Sequence, residues 1–394
     1  MSTTAAACPT SDIDLFSEES LINPFPHYRT IRDTGPVVYF PKYDAYILSR
    51  FQEVREALRN AKVFSSAHGV MLNKTMNDRM KGVVLCTDDP EHAALRKILQ
   101  KPLTPQAVLE YQAKITTEAD QLVERLVAKR HIDAATELAQ HLPVTIVSEL
   151  VGLPEQGRER MLDWAAASFQ CIGPMNKRAE EAIVTVGAMV EYALNKCTRD
   201  KLKPGSWAAM LWDAADRGEI GIEKPPVMMM DYMGPALDTT IFATSSMLWL
   251  FSQNPGQWDL LREDPSLIGG AINEAIRIES PIQGFARLTL EDAQFGDVTL
   301  PAHSRVIMRY GSANRDERRW GNPDDFDIRR SNADHVGFGF GTHVCVGMHM
   351  AKLEMTALLK AMLPRVRRIV HHGHERVLNN TLRGLSKLEV TLEA

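Results

Sequence analysis

Nothing in this chain divides it. Across 394 residues there is no Pro-, Gly- or Ser-rich linker, no repeat and no low-complexity tract. The length alone would allow two or three domains, yet one mostly helical body over residues 1–394 is the better expectation. The five cysteines, Cys8, Cys86, Cys171, Cys197 and Cys345, are odd in number, scattered, and form no Cys-x-x-Cys pair. That pattern excludes a disulfide framework and a cysteine zinc site, and it fits a reducing cytoplasm. Basic excess is missing too: the net charge is −5, so nothing draws the chain as a whole to nucleic acid or to an anionic membrane. The opening Met-Ser-Thr-Thr-Ala-Ala-Ala-Cys has no basic region followed by an apolar core, and reads as neither signal peptide nor anchor. The longest apolar stretch, 227–251, could reach across a bilayer but carries Asp231 and Asp238. It reads as a buried helix of a cytoplasmic protein.

What is present is apolar periodicity. Hydrophobic residues make up 44% of the chain, enough for a sizeable core at this length. After a disordered start, 24–32 reads as a helix, 37–40 and 45–49 as a hairpin, and 51–60 as a helix again. Residues 65–84 read as a long functional or mobile loop. Asp88-Asp89-Pro90-Glu91 is a strong helix start. Helical spacing then dominates 105–128, 138–151 and 180–197, with a loop at 171–174. The stretch 228–251 is a central buried helix expected to kink at Pro235, and a further helix covers 267–279. Short β-like runs at 285–290, 298–300 and 306–308 can join the early hairpin in one sheet. A charged loop at 315–330, a helix at 348–362 and a β-like end at 388–392 complete the chain. The expected class is mainly α with a smaller β region near 35–50, 285–310 and 385–394.

Chemistry concentrates at 338–347, Phe-Gly-Phe-Gly-Thr-His-Val-Cys-Val-Gly. Cys345 lies in a glycine-rich loop two residues after His343 and just before a helix. Backbone N–H groups and the helix N-terminus there favour a thiolate able to ligate iron. His92 and Arg96 are four apart on one helix face and can clamp an anionic group. Asp238-Thr239-Thr240 places an acid and two hydroxyls inside a core helix, where unpaired polar groups are expensive. The threonines can instead bond back to carbonyls one turn earlier. Glu274 and Arg277, three apart, can bond each other or a shared partner.

In this order, His92-x-x-x-Arg96, Asp238-Thr239, Glu274-x-x-Arg277 and the cysteine loop resemble the cytochrome P450 superfamily over nearly the whole chain. The loop matches the family pattern at Phe338, Gly341, His343, Cys345 and Gly347. The resemblance implies the P450 fold, with haem b between the central helix and the helix after the cysteine loop. It makes Cys345 the axial thiolate of the iron, gives the propionates to His92, Arg96, Arg287 and His343, and sets Phe338 beside the sulfur. Glu274 and Arg277 would be structural, tied to the loop around Arg330. Asp238 and Thr239 would deliver protons to bound dioxygen. One departure is Ala236 where the family usually has glycine.

Stretches such as Glu279-Ser-Pro-Ile-Gln and Gly311-Ser-Ala-Asn-Arg-Asp look like those of soluble bacterial members that oxidise methoxylated aromatics, especially para-methoxybenzoate. Where those carry a carboxylate-binding arginine this chain has His68, and Met230-Asp231 occupies their serine-bearing turn; Ala286 stands where a bulky aromatic is typical. An acid near the site should repel a carboxylate. The expectation is therefore O-demethylation of a neutral methoxylated aromatic, such as a guaiacol with an alkyl tail. His68 or Asp231 would bond the phenol, and Phe169, Ile172, Ala236, Phe285 and Ala286 would shape the wall. Partners implied are O2 and a separate electron-transfer chain, either ferredoxin and reductase or a flavin/iron–sulfur reductase. Such a partner would dock at Arg96, Lys97, Lys101 and Lys352. Hydroxylation of a terpenoid or fatty acid, para-methoxybenzoate demethylation, and a haem sensor are the alternatives; a sensor has no need of Asp238-Thr239.

Overall fold

The structure, a computed structural model, describes residues 8–394. The reading of Met1 to Ala7 lies outside the described residues, but 8–23 is ordered chain. Thr10 bridges to Tyr39, and Glu18–Ile22 is a helix capped by Ser17. The early hairpin, Val37–Phe40 with Ala45–Leu48, does share a sheet with the runs expected at 285–290 and 306–308, but Val298–Leu300 does not join it and pairs with Ala293–Phe295 in a separate two-stranded sheet. The order of the larger sheet is Val37–Phe40, Ala45–Leu48, Arg305–Arg309, Gly284–Thr289, Phe64–Ser65, and only the Ala45–Leu48 to Arg305–Arg309 pairing is parallel. The terminal strand Leu385–Glu393 belongs to a third sheet, between His131–Asp133 and Arg368–Arg376.

Three helical expectations change. Residues 65–84 are not one loop, because Asn73 caps a helix at Lys74–Arg79 by accepting from Met76 N–H, and a tight turn follows at Val84–Cys86. The 138–151 stretch is wound more loosely, in i→i+5 turns at Ala134–Ala139 and Pro143–Val147, where Pro143 supplies no N–H. The central helix is broken as well as bent. Lys224–Met233 and Asp238–Gln253 are separate helices joined by 234–237. Pro235 lacks the N–H that would continue the ladder, and the second helix restarts with Thr240 and Ile241 N–H both donating to the Leu237 carbonyl.

Asp238–Gln253 is buried along almost all of its length and crosses the middle of the molecule. It packs on Ile268–Glu279, which in turn packs on Met348–Met362. Glu274 and Arg277 sit at that junction with fully buried side chains. Arg277 Nε and Nη2 each donate to the Glu274 carboxylate at 2.8 Å, and Arg330 Nε adds a third bond at 2.9 Å. Arg277 Nη1 donates to the carbonyls of Asn314 and Pro323. The pair is structural, as the resemblance implied, and it holds the charged loop that leads into the cysteine segment.

Candidate active site

Two left-handed glycines shape the cysteine segment. Gly339 and Gly341 both have φ near +72°, a region where a side chain is strained. A Cβ on Gly341 would lie 2.6 Å from the Leu58 carbonyl oxygen. The turn brings Cys345 N–H onto the Phe338 carbonyl at 2.8 Å and sends the sulfur into a large cavity. Met348–Met362 begins directly after it, with Gly347 as its cap. Burial raises the Cys345 thiol pKa, and Arg96 and the N–H groups of Gly347 and Met348 only partly offset this. The thiolate expected at Cys345 therefore depends on the metal it would hold, since coordination replaces the proton that desolvation favours.

The cavity gathers residues from distant segments. His92, Arg96, Arg287 and His343 line one side together, and the His92 and His343 rings are 4.1 Å apart between centroids. Neither ring nitrogen of His92 makes a hydrogen bond, although Asp89 Oδ1 lies 3.5 Å from Nδ1. His343 Nε2 is also without a partner. Burial, with Arg287 next in weight, holds the His343 imidazole down to about 2, and burial with Arg96 lowers His92. Arg96 donates to the Val344 carbonyl at 2.6 Å and Arg287 to that of Ala286 at 2.8 Å. Two arginines and three buried, unpaired imidazole nitrogens facing one cavity form a donor set for carboxylates. A sulfur opens into the same space. The residues present therefore fit haem b, with Cys345 to hold its iron and this group to hold its propionates. Phe338 lines the cavity near Cys345, with Lys352 Nζ 5.3 Å from its ring centroid. Arg96 faces inward, so the basic exterior around the loop loses one of its four expected members; Lys101 is paired with Glu219 at 3.0 Å.

On the opposite side, Thr239 lines the cavity and its hydroxyl donates to the Pro235 carbonyl at 3.0 Å. The broken turn frees that carbonyl. Asp238 does not line the cavity; it is 5% exposed, its Oδ2 has no partner, and burial with nearby Asp163 pushes its carboxyl up to about 7.

Of the expected wall residues, Phe169, Ile172, Asp231, Ala236 and Phe285 line the cavity. His68 and Ala286 do not. His68 sits in an exposed turn before Gly69 (φ +87°), with its carbonyl accepting from Arg305, so its ring cannot serve as the phenol partner proposed for it. Ala286 is buried in the sheet, its N–H donating to the Val70 carbonyl. Asp231 turns its carboxylate onto the backbone N–H groups of Val84 and Leu85 at 2.9 and 3.4 Å. Sequence reasoning missed the thioether wall formed by Met71, Met76, Met80, Met189 and Met230. The only signal for it was the total of 18 methionines.

A family profile described as Cytochrome P450 matches residues 213–392. Cytochrome P450 CYP199A2 of Rhodopseudomonas palustris is 36% identical over 392 residues, covering 98% of this chain and 95% of its own. Linalool 8-monooxygenase of Pseudomonas putida is 27% identical over 404 residues, covering 96% and 98%. Among solved structures, P450BioI in complex with hexadec-9Z-enoic acid ligated acyl carrier protein superposes with a TM-score of 0.86 at 28% identity, covering 96% of this chain and all of that one. A cysteine loop opening onto a cavity that holds an orphaned propionate-type donor set, on this fold and beside these relatives, leaves one reading: the chain belongs to the cytochrome P450 family, whose members bind haem b through a cysteine thiolate, and it is a P450 monooxygenase.

Proposed function

We propose that this P450 removes the methyl group from a neutral methoxylated aromatic, such as guaiacol or an alkylguaiacol. The observation that carries the reading is the charge distribution of the cavity. Among the described lining residues the only Lys or Arg side chains are Arg96 and Arg287, both on the propionate side. The rest of the wall is mostly apolar, rich in methionine, valine, leucine and isoleucine, and its acids are Asp231 and Glu354. A carboxylate substrate finds no partner there, whereas an uncharged aromatic ring packs well against thioethers.

Haem b supplies dioxygen activation, placing one oxygen atom on substrate and releasing the other as water. Cys345 holds the group, and His92, Arg96, Arg287 and His343 anchor its edge. Thr239 keeps a hydroxyl at the cavity wall, able to accept a hydrogen bond while it donates to Pro235. Asp238, behind it with a carboxyl that exchanges its proton near neutral pH, is the proton reservoir. Hydroxylation of the methyl carbon converts ArOCH3 to ArOCH2OH, using O2, two electrons and two protons and giving water. The hemiacetal then collapses to ArOH and formaldehyde. The electrons reach the site from NAD(P)H through a separate ferredoxin or flavin/iron–sulfur reductase.

The second reading is hydroxylation of an aliphatic molecule such as a terpenoid or fatty acid. The flexible thioether wall favours it, since methionine adapts to irregular apolar shapes. Titration of the holoenzyme with guaiacol, 4-alkylguaiacols, 4-methoxybenzoate and linear fatty acids, followed by the haem spin-state spectrum and by formaldehyde release, separates the readings. Guaiacols are expected to shift the spectrum and yield one formaldehyde per phenol. A shift with 4-methoxybenzoate alone, or turnover of the aliphatics without formaldehyde, would overturn the proposal.

A further inference from the structure

Asp231 lines the cavity, but its carboxylate is turned onto backbone N–H groups. It lies near the end of Lys224–Met233 and reaches the Val84–Cys86 turn, 147 residues away in sequence. That turn has no side-chain cap of its own. Asp231 Oδ2 accepts from Val84 N–H at 2.9 Å and Oδ1 from Leu85 N–H at 3.4 Å, so the carboxylate caps the turn from outside. Val83, Val84, Leu85 and Cys86 all line the cavity. This side chain therefore ties their place to the Lys224–Met233 helix.

We infer that Asp231 is a positioning residue whose ionised carboxylate pins the 83–86 wall, so that its charge state sets the shape of the cavity and which ligands the cavity accepts. The ionised form accepts strongly at both oxygens, whereas a protonated carboxyl is a weak acceptor at its hydroxyl oxygen. Protonation puts an O–H donor where a backbone N–H must donate, and loosens one of the two bonds. No lysine or arginine pairs with it directly among the described residues. Arg96, from Glu91–Leu99, is the charged group acting on it, with an attraction that favours ionisation. Cys86 from the turn and Tyr232 from its own helix face it as neutral groups, the Tyr232 hydroxyl being committed to the Leu99 carbonyl at 2.6 Å. Burial outweighs both N–H bonds and Arg96, and raises the carboxyl to about 7. The cap is thus made above neutral pH and weakened below it.

The test uses the ferric holoenzyme and two ligands that bind iron through nitrogen, pyridine and the bulkier 3-phenylpyridine, both uncharged between about pH 6.5 and 8.5. Their affinities are read from the Soret shift, and the ratio of the two reports the wall with the iron site divided out. In the wild-type protein the ratio should change by about threefold or more across that range, the worth of one hydrogen bond, with its midpoint near neutral. Asp231→Asn should show a flat ratio at equal haem content. A wild-type ratio that does not vary with pH overturns the inference, whether or not the variant folds. So does an Asp231→Asn protein that keeps the wild-type profile. Neither outcome depends on the substrate being a methoxylated aromatic.

Discussion

Thr239 and Glu354 are two polar residues of the cavity with different duties. Thr239 bonds back to Pro235, the unremarkable option open to a helical threonine, yet the same hydroxyl reaches the cavity. Thr239→Ala should leave haem binding intact and lower the product formed per electron pair by about a hundredfold, the low end of what a positioned proton donor contributes. Peroxide release should rise to match, and an oxygen-electrode balance of product, peroxide and NAD(P)H checks it. Glu354, on Met348–Met362, is 1% exposed, and its Oε1 has no partner. Burial raises its carboxyl to about 8. The folded protein therefore keeps a proton that the unfolded chain has already released in the ordinary carboxylate range. Stability must fall as pH rises through that window, by at most about 1.4 kcal/mol per pH unit. Glu354→Gln removes this dependence, so its advantage over wild type should grow between about pH 5.5 and 8. Urea midpoints of the holoenzyme at the two pH values measure it.

At the scale of elements, the Ile268–Glu279 helix and the 323–332 loop stand or fall together. Glu274 accepts from Arg277, Arg330 and Asn332, and all of these partners are wholly or largely buried. Glu274→Ala leaves the Arg277 guanidinium buried without its counter-charge, which costs about 3–5 kcal/mol. The expected result is a thermal midpoint lowered by several degrees and less haem per chain, because the same loop leads into the cysteine segment; absorbance at the Soret band against total protein reads the second. Both features were legible in sequence, since Glu-x-x-Arg and the cysteine loop are patterns contained within a few residues. Long-range pairings were less legible. Arg368–Arg376, Arg-Ile-Val-His-His-Gly-His-Glu-Arg, lacks the alternation of a half-buried strand and forms one because Leu385–Glu393 pairs with it. Pro235 marked a distortion, but local sequence does not say whether a proline bends a helix or breaks it; here the first helix stops at Met233 and the second restarts at Asp238. His68 was misplaced for a related reason. The direction of a loop side chain depends on the turn at Gly69, which no spacing rule encodes.

For the molecule as a whole, the question is how a ligand reaches a cavity enclosed by so many buried residues. Phe169 and Ile172 line that cavity, and the segment 171–176 joins Met161–Gln170 to Lys177–Asn195 over it. Two amides from opposite ends of the chain hold this segment down. Asn73 Nδ2 donates to the carbonyls of Cys171 and Gly173 at 2.8 and 2.9 Å, next to a Leu72 N–H to Ile172 carbonyl bond. Asn380 Nδ2 donates to the Gln170 carbonyl at 2.8 Å, and Asn380 exchanges two further amide bonds with Asn176. Gly173 packs so closely that a Cβ there would lie 2.6 Å from the Asn380 side chain. Lifting the segment breaks these bonds together, and each contributes about 1 kcal/mol. On a route through this segment, a ligand leaves only as often as they break. Asn380→Ala should therefore speed both association and dissociation of 3-phenylpyridine by about five- to tenfold for each bond lost in opening. The equilibrium constant should move much less, because opening is common to both directions. Stopped-flow Soret kinetics on wild type and variant measure all three quantities; equal rates in the two proteins would mean that ligands pass by another route.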